Sequence, residues 1–196
     1  MAYTNFADLK VFMGIPVLET DNDALLTIFV ATAQVMLDNE IGIAFEASET
    51  SRYLDAVADV AGRKLVFDHL CAELGTVTNG DAVVVSSDDY VTEPRNAGPF
   101  HAITLKSGAS VAWTFDESPE NAITVAGKWA YSAAAPVDIV NATKRLAQYL
   151  DKVKDTGAFD VVGDAELGLL RVPGGTPADV WAVIRYYRNK IRRIPR

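Results

Sequence analysis

Residues 122–150 read AITVAGKWAYSAAAPVDIVNATKRLAQYL, and the way this stretch divides decides the fold. In its first part Ile123 and Val125 alternate with Thr124 and Ala126, the period of two that belongs to a strand with one buried face. After Pro136 the period changes. Ile139, Ala142, Leu146, Tyr149, Leu150 and Val153 recur at three and four residues, a helical stripe, while Lys144, Arg145, Lys152 and Lys154 fall on the other side. Pro136 brings a fixed φ to the first turn, and Asp138 stands near the positive end of the helix dipole. Trp129 and Tyr131 sit at the seam, on one face of the returning strand. Large rings with few rotamers suit a rigid joint between a strand block and a helical core; ordinary packing inside the sheet accounts for them equally well.

Upstream, FHAITLK (100–106) and VAWTF (111–115) flank Ser107-Gly108 and read with 122–131 as an antiparallel meander. Ile103 and Leu105 share one face, as do Val111, Trp113 and Phe115 on theirs. DYVTEPRNAGP (89–99) is punctuated by proline and glycine, which argues against a central strand. Asn79-Gly80, inside VTNGDAVVV, predicts a hairpin or tight corner, since both residues accept the positive φ of a type I′ turn. SRYLDAV (51–57) and GRKLVFD (62–68) read as short strands, and HLCAEL (69–74) reads equally as a helical turn or as strand.

At the start, Thr4 or Asn5 caps a helix through FADLKVFM, which Gly14 and Pro16 terminate. TDND (20–23) opens a longer helix whose spacing predicts an apolar face of Leu25, Ile28, Phe29, Thr32, Val35 and Met36, with Gly42 as its stop. Residues 155–175 hold four acids and five glycines and read as a long loop. Thr176-Pro177-Ala178-Asp179 then starts a last helix, with Val180, Ile184, Tyr187 and Ile191 inward and Arg185, Arg188 and Arg192 along another side. The order of helices and strands predicts an α+β fold: a core of about four helices from residues 1–48 and 134–196, with an antiparallel β-rich subdomain inserted over 49–133.

Composition narrows the function classes. Of 196 residues, 49% are hydrophobic and 22% charged, enough apolar material for a core without a staple. Cys71 is the single cysteine, so no disulfide framework forms within one chain. MAYTNFADLK lacks the features of a secretory signal, and ALLTIFVATAQVML (24–37) is interrupted by polar residues and short for a bilayer, so no membrane partner is expected. The net charge is −8, yet the last twelve residues, RYYRNKIRRIPR, hold six Lys or Arg and no acid. Twelve bases against twenty-six acids remain for the rest, about −14. An acidic body with a basic end favours docking on an acidic protein surface over binding nucleic acid.

Signatures of catalysis are missing. Neither GxGxxG nor GxxxxGK[ST] occurs, HExxH is absent, and His69 and His101 have no partner at ligand spacing. Asp21-x-Asp23 starts like a calcium loop, but Leu26 stands where glycine is required and Thr32 where glutamate is. Asp88-Asp89 and Asp116-Glu117 read as solvated loop acids, and Ser132 has no GxSxG context. The sequence predicts no enzyme, no cofactor and no metal.

Three stretches together carry a resemblance: YTNFADLKVFMGIP with DNDALLTIFVATAQVMLDNEIG, VTNGDAVVV with DYVTEP, and ITVAGKWAYSAAAPVDIVNATKRLAQYL with VWAVIRYYR. They resemble the head–tail connector (adaptor) proteins of tailed bacteriophages, over most of the chain. The resemblance implies a structural virion protein of the neck, assembled in the host cytoplasm. It would form a homo-oligomeric ring, typically twelve-fold, beneath the portal protein and meet the next tail-completion or stopper protein. Phage DNA would pass through its lumen without specific binding. It implies a portal contact near the C-terminus, here Arg185, Tyr186, Tyr187, Arg188, Arg192 and Arg193, while Trp129 and Tyr131 would join insertion to core. A different class remains open, a β-rich module binding carbohydrate or a surface receptor, with Trp113 or Trp129 stacking on sugar.

Overall fold

The computed structural model describes residues 3–156, 161–164, 168–171 and 175–193. The chain separates into two compact units, one built on Ala44–Ala134 and the other on Met1–Ile43 with Ala135–Arg192. The strand unit begins a few residues before the expected residue 49, because Ala44 and Phe45 take part in its closing contacts.

The first unit is an antiparallel sheet. Its strands are β1 (Ser48–Leu54), β2 (Val60–Ala61), β3 (Lys64–Thr78), β4 (Val84–Val85), β5 (Tyr90–Glu93), β6 (Phe100–Leu105) and β7 (Ile123–Trp129). The spatial order is β1-β7-β3-β6-β5, with β2 and β4 also pairing to β3. HLCAEL therefore belongs to one long central strand, and the proline-marked segment supplies the edge strand β5. The period of two is clearest in β7, where Ile123, Val125, Gly127 and Trp129 are buried and the residues between are half-exposed. These pack with Leu54, Leu65, Phe67, Cys71, Val77, Ile103 and Leu105 into one apolar cluster.

Two expectations change here. VAWTF is not a strand: apart from a single bridge between Gly80 and Phe115, its backbone makes no ladder. Buried Asn79 takes over that role, donating from Nδ2 to the Ala112 carbonyl (2.9 Å) and accepting from the Thr114 N–H (3.2 Å). Val111 and Trp113 still reach the core, which is why the alternation was visible. The corner after β3 is real, but the positive φ falls at Ala82 (61°) and not at the Asn-Gly pair. Gly80 is needed for closeness instead: a Cβ there would lie 2.3 Å from the Thr114 carbonyl oxygen.

The second unit holds α1 (Phe6–Met13), α2 (Asp23–Ile41), α3 (Val137–Thr156) and α4 (Ala178–Arg192), with a short antiparallel pair, β8 (Val161–Asp164) and β9 (Gly168–Arg171), inside the stretch read as loop. Asn5 caps α1 by accepting from the Asp8 N–H at 2.8 Å, and Gly14 and Gly42 close α1 and α2 in the left-handed conformation. The buried side of α2 is Leu26, Val30, Ala33, Leu37 and Ile41, packed on α1, α3 and α4. This corrects the predicted face: Ile28 and Val35 are 58% and 57% exposed. Apolar residues surround this helix on nearly every side, and no charge between Asp23 and Asp38 marks which side is wet. On α3 and α4, where charges do mark it, Ile139, Ala142, Leu146, Val180, Ile184 and Tyr187 are buried as predicted, while Tyr149, Leu150, Val153 and Ile191 are half-buried and Thr143 and Ala147 join the buried side.

Backbones approach closely where β3 meets β7. A Cβ on Gly127 would sit 2.7 Å from the Glu73 carbonyl oxygen and 3.1 Å from Cys71 Sγ. Gly127→Ala should therefore destabilise the protein by about 1–3 kcal/mol, read as a lowered urea midpoint.

Candidate functional site

The exposed face of α4 is the most concentrated basic surface that the sequence singled out. Position along the helix separates its members. Tyr187 is 5% exposed, and its hydroxyl donates to the Asp138 carboxylate at 2.9 and 3.0 Å, fastening α4 to the start of α3. It is thus an internal fastener, and its expected place in a docking surface is corrected. Its neighbour Tyr186 is 56% exposed, set edge-on to Tyr187 with ring centroids 5.0 Å apart, and Lys190 Nζ lies 5.8 Å from its ring. Arg185, Arg192 and Arg193 are exposed. Arg188 is half-buried, with Nη1 3.5 Å from Glu40 on α2, a loose surface pair worth little in water. Cations in the last turns also suit the helix dipole. What this face can do chemically is bind anionic groups, with one exposed ring beside them for packing.

Trp129 and Tyr131 lie within the sheet unit. Trp129 is 6% exposed; its indole Nε1 donates to the Thr50 carbonyl at 3.0 Å, Phe67 meets its ring edge-on at 5.3 Å, and the Arg52 guanidinium stands 5.2 Å from its ring centre. Tyr131 packs on Phe45 at 5.3 Å, its N–H donates to the Ala44 carbonyl at 3.0 Å, and Ser132 Oγ donates to the Phe45 carbonyl at 2.9 Å. The residues where the chain enters the unit are thereby clasped to those where it leaves. Trp113 is half-buried, with its Nε1 donating to the Arg63 carbonyl. Trp129 therefore has no open face for a sugar ring, and the indole N–H of Trp113 is already engaged.

The other polar assembly sits on β3, β5 and β6. Lys64 Nζ is 2.6 Å from Glu93 Oε2, Thr104 Oγ1 donates to Glu93 Oε1 at 2.7 Å, and His101 Nε2 is 4.0 Å away. The hydrogen bond from Lys64 holds the Glu93 carboxyl below its ordinary range. Burial, with the Lys64 charge nearby, lowers His101, and neither ring nitrogen has a hydrogen-bond partner. An ion pair beside a stranded imidazole gives no nucleophile and no oxyanion site. Among the described residues, no group of three or more His, Cys, Asp or Glu is placed to hold a metal ion. Cys71 is buried, and desolvation pushes its thiol up to about 11, far from the range of a reactive cysteine.

No family model and no curated protein matches the chain. Among solved structures it is similar to a chain in the neck of an empty GTA particle computed with C6 symmetry, with a TM-score of 0.55 and 14% identity over 95% of this chain and 89% of that one. It is also similar to a chain in the virion of a native gene transfer agent particle, with a TM-score of 0.52, 14% identity and the same coverage, 95% and 89%. At this identity the likeness is one of fold, and it runs through nearly the whole chain.

Two outcomes follow from these geometries. Trp129→Ala should lower stability by about 3–5 kcal/mol, seen as a fall in melting temperature; an unchanged melt would mean the clasp holds nothing. The folded state also resists protonating His101, whereas the unfolded chain takes that proton near the ordinary value of 6.5. The unfolded state therefore binds more protons as pH falls, and stability should drop over a window that opens as pH falls toward 6.5. His101→Leu should flatten the urea midpoint across that window, while the loss tied to Glu93 appears only below its ordinary 4.5.

Proposed function

We propose that this chain is a non-enzymatic structural subunit of the neck of a tailed-phage-like particle, a connector whose copies form a ring beneath the portal. The observation that carries the reading is the shared fold over 95% of its length with a chain from a particle neck. The absence of a catalytic constellation among the described residues agrees with it, as does the separation of charge into an acidic body and a basic last helix. Twelve copies, a channel passing DNA without binding it, and a tail-completion protein on the distal side complete the proposal. An acidic lumen lets a phosphate backbone slide, because Lys and Arg contacts are what retain nucleic acid.

In this reading Arg185, Tyr186, Arg188, Arg192 and Arg193 engage the portal, and Tyr187 keeps α4 in place from beneath. Trp129 and Tyr131, by clasping the two ends of the insertion, also serve as its joint. Nothing among the described residues favours the carbohydrate-binding alternative.

The test is charge reversal. Arg185→Glu with Arg192→Glu should weaken binding to purified cognate portal rings at least tenfold, steeply dependent on salt, with only a small fall in melting temperature from the lost dipole contact. Undiminished binding by this variant would remove α4 from the portal contact.

A further inference from the structure

Resting on the reading of a ring, we infer that the loop between α1 and α2 is the element that each copy inserts against the outer face of α2 in the next copy. Two independent features carry this. The first is the loop. Its residues Val17 and Leu18 are 71% and 95% exposed, unusual for apolar side chains on an anchored segment. The segment is anchored: Lys10, only 2% exposed, turns its ammonium under the loop and donates to the carbonyls of Val17 (3.2 Å) and Glu19 and to the Asp23 carboxylate (2.8 Å). A buried charge satisfied in this way fixes the loop's shape, so the two side chains are held outward before any partner arrives.

The second feature is the outer stripe of α2. Ala24, Ile28, Ala31 and Val35 are all exposed and, at steps of three and four residues, lie along one line of the helix. The corresponding faces of α3 and α4 carry Arg145 and Lys152, and Arg185 and Arg192; this one carries no charge. Along that line the small Ala24 and Ala31 alternate with the larger Ile28 and Val35, an uneven apolar surface for a side chain such as Leu18.

A second copy is the occupant because both halves of the contact are on this chain. A ring of more than two copies needs two different surfaces per subunit, matched head to tail. In a chain of net charge −8, copies repel each other except where they meet through uncharged surface. A bilayer is the poorer partner, although α2 has the length and apolarity to cross one. No Lys or Arg occurs between residues 11 and 51, and acids flank the stripe at both ends, the reverse of a helix that lies on anionic lipid.

The experiment mixes two variants with one added cysteine each, Leu18→Cys and Val35→Cys, one of them mass-tagged, with cognate portal rings, and oxidises them with copper–phenanthroline. Native Cys71 is sealed in the sheet and stays silent. A disulfide-linked heterodimer should form, at least tenfold above homodimer from either variant alone. Leu18→Asp should melt like wild type but form no rings in electron micrographs. Rings without the heterodimer, or rings formed by Leu18→Asp, overturn this interface and leave the ring reading intact. A heterodimer under conditions in which the wild type forms no rings keeps the contact and overturns its closure into a ring, and absence of both overturns the contact and the ring reading together.

Discussion

The hydrogen bond from the Tyr131 N–H to the Ala44 carbonyl closes an excursion that begins and ends at nearly the same point of the chain. Everything in the sheet unit, Ala44–Ala134, lies inside that closure. Closing a long loop is only slightly worse than closing a short one, since each doubling adds about 0.6 kcal/mol. The helices can therefore be interrupted by a whole subdomain, provided its ends are held together. Phe45 against Tyr131, Ser132 on the Phe45 carbonyl and the indole of Trp129 on Thr50 hold them. Burial of the rings supplies the free energy, and the hydrogen bonds fix the register.

Seen from this closure, the division of labour between the units follows from composition. The sheet draws its stability from an alternating core and from close backbone approach at Gly127, and it pairs Lys64 with Glu93 and Lys128 with Glu73 across strands. The helices put their apolar side inward on α3 and α4 and their bases outward. The first two helices break that rule: α1 buries Lys10 and exposes Val11, and α2 has hydrophobic residues on the wet side as well. A helix apolar on two sides is either deeply buried or awaiting a neighbour.

Much of this was legible in the residues. Asn5, Gly14 and Gly42 marked helix ends, since each does there something few other residues do as well: a short acceptor, or a positive φ. The stripes of α3 and α4 were legible because Lys and Arg mark their outer sides. The stripe of α2 was not, because hydrophobic periodicity locates a buried face only by contrast, and between Ala24 and Leu37 no charge and only Thr27, Thr32 and Gln34 supply it. VAWTF misled for a different reason. Alternation reports which side chains go inward, and an asparagine amide can hold a segment in that posture without a ladder. Of the residues proposed for docking, the arginines stood out by charge. Tyr187 was misplaced because a phenol with an apolar body and a polar tip suits either an interface or a core, and only the nearness of Asp138 decides.

Cys71 has a consequence of a different kind. Its sulfur lies on the central strand with no exposed surface, and its hydrogen bond to the Glu73 carbonyl leaves it turned inward. A body repeated many times in one assembly multiplies every chemical weakness by the number of copies. With the only thiol placed where neither peroxide nor another thiol can reach it, an assembly of these subunits would age in air without cross-linking its own members or stiffening their contacts.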